Sequence, residues 1–116
     1  MMNFDVKIKD FASAILCSAQ NQVLKKAVFS KSKDKSIVKT VLTLKNISGK
    51  LCLQAESFHS DNKAKHENIS LDDKILERLC DLVDSCMQVN LITTAGECEY
   101  KASKSGKITL DRKSVV

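Results

Sequence analysis

The chain has no proline and only three glycines, Gly49, Gly96 and Gly106. So few glycines leave no G-x-G-x-x-G and no G-x-x-x-x-G-K-[ST], which excludes the common backbone cradles for nucleotide phosphates. Ser105, Gly106 and Lys107 spell SGK, but without the upstream glycine or a helix behind them they read as a hairpin turn. No low-complexity linker divides the chain, and nothing repeats. Tryptophan is absent, and one tyrosine and four phenylalanines are the whole aromatic complement. No RNP-type aromatic pair is present, so the stacking platforms that single-strand binders display are missing. No apolar run approaches the ~18 residues of a membrane span. The opening MMNFDVKIKDF mixes charges into its apolar positions, unlike a secretory signal. The expectation is a soluble, cytoplasmic protein with no membrane contact.

Close cysteine pairs are also absent. Cys17, Cys52, Cys80, Cys86 and Cys98 are odd in number and form no C-x₂-C, which argues against a disulfide framework and a zinc site. Reduced, buried thiols are the expectation. Cys80 and Cys86 stand six apart on a predicted helix, on different sides of it. Cys52, His59 and His66 fall in one predicted hairpin, but without tight ligand spacing they read as structural residues. Cys17 and Cys98 have no triad spacing around them and read as core. His66 and Glu67 are adjacent on a predicted strand, so they point to opposite faces and make no acid–base pair.

What is present is an apolar pattern sufficient for one core. Hydrophobic residues fill 43% of the 116 positions, and a chain of this size buries roughly two thirds of its unfolded surface. Ile8, Phe11, Ala12, Ile15 and Ala19 predict a helix over 5–20, ended by Asn21 and Gln22. Leu24 to Ser30 reads as a strand and Lys31 to Ser36 as a polar loop. Ile37 to Lys45 and Leu51 to Phe58 form a hairpin, with Gly49 available for positive φ in its turn. Lys63 to Ile69 is polar enough for an edge strand. Ser70 and Asp73 suggest a capping box opening a second helix, whose stripe is Ile75, Leu76, Leu79, Leu82, Val83 and Cys86. Gln88 to Thr93, Glu97 to Ala102 and a strand beginning at Ile108 complete the pattern. The expected class is α+β: a mostly antiparallel curved sheet of about six strands with one or two helices packed on one face.

The formal charge is +5. Lys25, Lys26, Lys31, Lys33 and Lys35 gather around one strand and its loop, and Lys101, Lys104 and Lys107 stand in the C-terminal hairpin. Joined by the sheet, they would hold a phosphate backbone electrostatically; the plainer alternative is a solvated rim. The last six residues, Asp111 to Val116 (DRKSVV), match one reading frame of a widely used short-read sequencing adapter. The expectation is a single α+β domain over 1–110 and a non-native tail over 111–116. Discounting Asp111, Arg112 and Lys113 lowers the formal charge from +5 to +4.

Ordered motifs run through the middle of the chain. Phe29, Ser30 and Lys31 lie on a strand, Lys33 to Lys35 in a Lys-rich loop, Gln54, Ala55 and Glu56 in the return strand of a hairpin, and His66, Glu67 and Asn68 before a helix. Val89 to Gly96 and Ser103 to Lys107 follow in order. Over most of residues 25–110 this resembles the N-terminal region of a group of bacterial class I S-adenosylmethionine-dependent methyltransferases. The resemblance implies a non-catalytic accessory region preceding a longer Rossmann-like methyltransferase domain. The glycine-rich cofactor loop belongs to that domain, which this sequence does not contain. No catalytic, cofactor-binding or metal residue is therefore carried over, and S-adenosylmethionine is implied for the missing domain alone. Two roles follow. The region recruits or orients an RNA substrate through its lysines, with His66, Glu67 and Asn68 as surface contacts. Alternatively it packs on its own catalytic domain or self-associates, with no nucleic-acid role. The absence of a nucleophile constellation disfavours an autonomous enzyme.

Overall fold

The computed structural model describes residues 6–103 and 108–114. The elements run α1 (Val6–Gln20), β1 (Leu24–Ser32), β2 (Ile37–Ile47), β3 (Lys50–His59), β4 (Ala64–Ser70), α2 (Ile75–Asp84), β5 (Cys86–Thr93), β6 (Gly96–Ala102) and β7 (Ile108–Ser114). All the strands join one antiparallel sheet in the order β4-β3-β2-β1-β5-β6-β7. The α+β class with helices on one face is therefore present, with seven strands and two helices among the described residues. None of these helices is long and apolar enough to cross a membrane.

The topology divides at α2. α1 leads into the meander β1–β4 and α2 into the meander β5–β7, and each meander starts at the middle of the sheet. β1 and β5 pair antiparallel there, so the two units meet head to head, and α1 packs against α2. No repeat in the sequence announces this arrangement.

Directly paired residues of an antiparallel ladder share a face. One face carries Ala27, Phe29, Leu42, Leu53, Ala55, Val89, Leu91 and Tyr100, all buried in the core that the helices close. α1 contributes Ile8, Phe11, Ala12, Ile15 and Ala19, the expected stripe. Phe11 meets the Tyr100 ring with centroids 5.6 Å apart. Thr40 is buried on the same face, where its hydroxyl and that of Ser57 hydrogen-bond at 3.1 Å. The opposite face is covered by none of the described elements.

Local chemistry explains the element ends. α1 stops where Gln22 takes φ +58°; its amide bonds the Ala19 carbonyl at 3.1 Å and that of Val23 bonds Ser18 at 3.0 Å. These paired bonds satisfy carbonyls that a helix end would otherwise orphan. Between β2 and β3, Ser48 (φ +54°) and Gly49 (φ +82°) form a two-residue turn flanked by the Ile47–Lys50 pair. Two positive φ values match the twist of the strands, as expected of Gly49.

Several boundaries differ from the sequence pattern. The capping box of Ser70 and Asp73 does not form. Ser70 remains in β4, opposite Cys52, and α2 begins only at Ile75, with no side-chain cap bond at Lys74. Ladder pairing holds Ser70 extended, so the turn is built by Asp72 instead. Its Oδ1 accepts from the Lys74 amide at 2.9 Å and its carbonyl from Ile75 at 3.1 Å. α2 buries Ile75, Leu79, Cys80 and Val83, while Leu76 and Leu82 are half-buried. Cys86 belongs to β5, so it does not share a helix with Cys80. β1 runs through Lys31 and Ser32, into what read as loop. β7 pairs with β6 as far as Ser114, so Asp111 to Ser114, set aside above as a tail, lie in the sheet.

Candidate nucleic-acid interface

β1 separates its lysines. Lys25 and Lys26 stand near its start and Lys31 near its end, six residues or roughly 20 Å apart at strand spacing. Lys26 shares its ladder row with Ile92 and Glu97 on the uncovered face. Lys31 has φ +55°. Beyond β1 the chain is tied down at once. The Lys33 amide donates to the Ser85 carbonyl at 2.8 Å, and Lys33 Nζ lies 3.7 Å from Asp84 Oδ1. Asp34 Oδ1 accepts from the Ser36 hydroxyl at 2.7 Å and from its amide at 2.9 Å. Those bonds hold the Asp34 carboxyl below its usual pKa, the side-chain bond most. Lys35 is exposed on this turn. Lys104 and Lys107 lie outside the described residues.

Two of the expected lysines are brought together. Lys31 from β1 and Lys101 from β6 line one cleft of about 310 Å³ with Met87, Gln88, Ala102, Ser103 and Thr109. Lys101 Nζ is 2.9 Å from Glu99 Oε1, and the Glu99 side chain is only 15% exposed. The ladder register sets this meeting, since Ser30 pairs with Gln88 and Gln88 with Lys101. Among the described residues the lysine groups are thus not one continuous patch. Lys25 and Lys26 form one end, Lys31 and Lys101 the other, and Lys33 is matched by Asp84.

The register also exposes a contributor that sequence spacing missed. On the uncovered face, Phe58, Lys39, Ser30, Gln88, Lys101 and Thr109 form one row across the sheet. Lys39 Nζ sits 5.2 Å from the Phe58 ring centroid, a cation–π distance. The only signal for it was the alternation of β2, which does not say which strands lie beside it. The neighbouring row is acidic towards its ends: His66, Glu56, Val41, Val28, Asn90, Glu99 and Asp111.

His66, Glu67 and Asn68 do not form a joint contact site. His66 Nε2 meets Glu56 Oε2 at 2.6 Å on the uncovered face. Glu67 turns to the helix side and accepts from Arg78 Nη2 at 2.6 Å, tying β4 to α2. Asn68 lies opposite Gln54 and is exposed. The expected opposition of His66 and Glu67 is what the strand produces.

The thiols do not assemble a reactive centre. Cys52 and His66 lie on the uncovered face some four residues of strand apart, and His59 is on the other face, opposite Ile37. No group of His, Cys, Asp or Glu among the described residues has the arrangement of a metal site. Burial raises the Cys80 thiol pKa and pushes Cys86 up to about 12, so both are protonated at neutral pH. Cys17 is exposed on α1, where Asn21 Nδ2 donates to its sulfur at 3.2 Å.

No family model matches the chain, and the searches of curated proteins and of solved structures likewise returned no match.

Proposed function

We propose that this chain is a non-catalytic accessory domain of an S-adenosylmethionine-dependent methyltransferase, holding an RNA substrate by its phosphates while a separate domain performs transfer. The observation that carries the RNA part is the convergence of Lys31 and Lys101 on one cleft among the neutral hydrogen-bonding side chains of Gln88, Ser103 and Thr109. Phosphate contacts position a nucleic acid without reading its sequence, which suits a recruiting role. The methyltransferase part rests on the ordered motifs from Phe29 to Lys107. We assign the protein to the cytoplasm, where reduced thiols persist; its five cysteines are all unpaired.

Titration of single-stranded RNA at increasing salt tests this reading. Binding in the micromolar range that weakens steeply between about 50 and 200 mM salt is expected. Lys31→Ala weakens it more than Lys33→Ala, because Lys31 lines the cleft and Lys33 does not. Affinity indifferent to salt, or no binding, removes the RNA role.

A second reading has its own support. Val28, Val41, Phe58 and Ile92 are half-buried on a sheet face that none of the described elements covers. An interaction module packing through that face on its own catalytic domain, or self-associating, would cover them. Concentration-dependent association in sedimentation, without RNA binding, is its signature.

A further inference from the structure

Lys31 is held in a conformation that lysine disfavours. At φ +55° the Cβ of an L-residue crowds the following carbonyl oxygen. The residue lies inside β1, between the Ser30–Gln88 and Ser32–Cys86 pairs, so the ladder on both sides enforces the twist. Glycine would relieve it, yet the position carries a long cationic side chain that lines a cleft. Strain of this kind gathers at ligand sites. Lys101 reaches the same cleft from another strand, with its ammonium already ordered by Glu99 at 2.9 Å. An ammonium has three protons, so an anion can bind without displacing the carboxylate.

We infer that this cleft binds a single phosphate group, with Lys31 and Lys101 as its charged contacts. The inference rests on the nucleic-acid reading for the source of the phosphate, a link of an RNA backbone; a free phosphate ester presents the same chemistry. Gln88 and Thr109 supply neutral hydrogen bonds. A neighbouring cleft of about 370 Å³ shares Met87, Ala102 and Ser103 and adds Ile8, Tyr100 and Ile108, with the Lys33–Asp84 pair at its wall. It offers mixed apolar and charged surface to the body that carries the phosphate.

The test pairs anisotropy titration of a labelled single-stranded RNA oligonucleotide with thermal melts in inorganic phosphate and in pyrophosphate. Lys31→Gly, Lys101→Gln and the double change Lys25→Ala with Lys26→Ala are compared with the unaltered chain. Lys31→Gly relaxes the backbone as it removes the charge, so its melting temperature stays at or above that of the parent and lost affinity is not a folding defect. Lys31→Gly and Lys101→Gln should each weaken RNA binding about tenfold at low salt and reduce the salt slope by about 0.7. The Lys25 and Lys26 change should cost less than either. RNA binding that survives both Lys31→Gly and Lys101→Gln overturns the site while leaving the nucleic-acid reading standing. Stabilisation by pyrophosphate that Lys31→Gly abolishes, with RNA ignored, keeps the site and overturns that reading. Indifference to RNA and to both phosphates overturns the two together.

Discussion

Cys86 illustrates how burial can dominate the chemistry of a side chain. Only 2% exposed, its thiol is pushed up to about 12 from an ordinary 9.0, chiefly because the thiolate loses water. The folded pKa lies above the unfolded one. The stabilisation is therefore full below about pH 9 and is lost as pH rises towards 12, because the unfolded chain ionises first. The slope is at most about 1.4 kcal/mol per pH unit. Urea unfolding at about pH 8 and about pH 10.5 should show a smaller drop for Cys86→Ala than for the parent, although the substitution lowers stability at both. Equal drops would assign the titration to other groups. Pairing has the same authority over the lysines. The count of cations was legible in the sequence, but the offset of Lys33 was not, because Asp84 reaches it through the fold, whereas Glu99 stands two residues from Lys101 on the same face of β6.

Helix ends and turns show where local pattern suffices and where it is overridden. All five residues of the α1 stripe were readable from spacing, because a helix packed along one face repeats its burial every three or four residues. Its end at Gln22 was readable too, though not the strained φ of +58°. Gln22→Gly should therefore stabilise the protein by about 0.5–1 kcal/mol, since glycine carries no Cβ into that region. The start of α2 was misread because sequence cannot show that Ser70 is claimed by the ladder with Cys52. Ser70→Ala should change stability by less than about 0.5 kcal/mol, whereas Asp72→Ala, losing the bond to the Lys74 amide, should cost about 1 kcal/mol. Denaturant midpoints for the three variants check the set. A large loss in Ser70→Ala would restore the capping box.

For the molecule as a whole, the pairing of β1 with β5 is the seam on which both meanders depend. These strands are central, and Ala27, Phe29, Val89 and Leu91 are buried along their contact. Among the described strands β4 and β7 are the edges and pair on one side only. Hydrogen exchange should find the amides of β1 and β5 opening only with global unfolding, and those of β4 and β7 exchanging about 100-fold faster or more. Uniform protection would mean that the edges are as cooperative as the seam. The same sheet order governs the proposed site. It takes Lys31 and Lys101, seventy positions apart in sequence, to one cleft, and leaves Lys25 and Lys26, five or six positions from Lys31, at the far end of the strand.

The sequence by itself determined the α+β class, the α1 stripe, the Gly49 turn and the polar character of β4, because each follows from spacing within a few residues or from the conformational limits of one. The tertiary structure alone decided that two meanders meet at β1 and β5, that Cys86 leaves the helix, and that the described lysines divide into separate groups. Those outcomes depend on ladder register and on charges brought together from distant segments, and neither leaves a periodic trace in the chain.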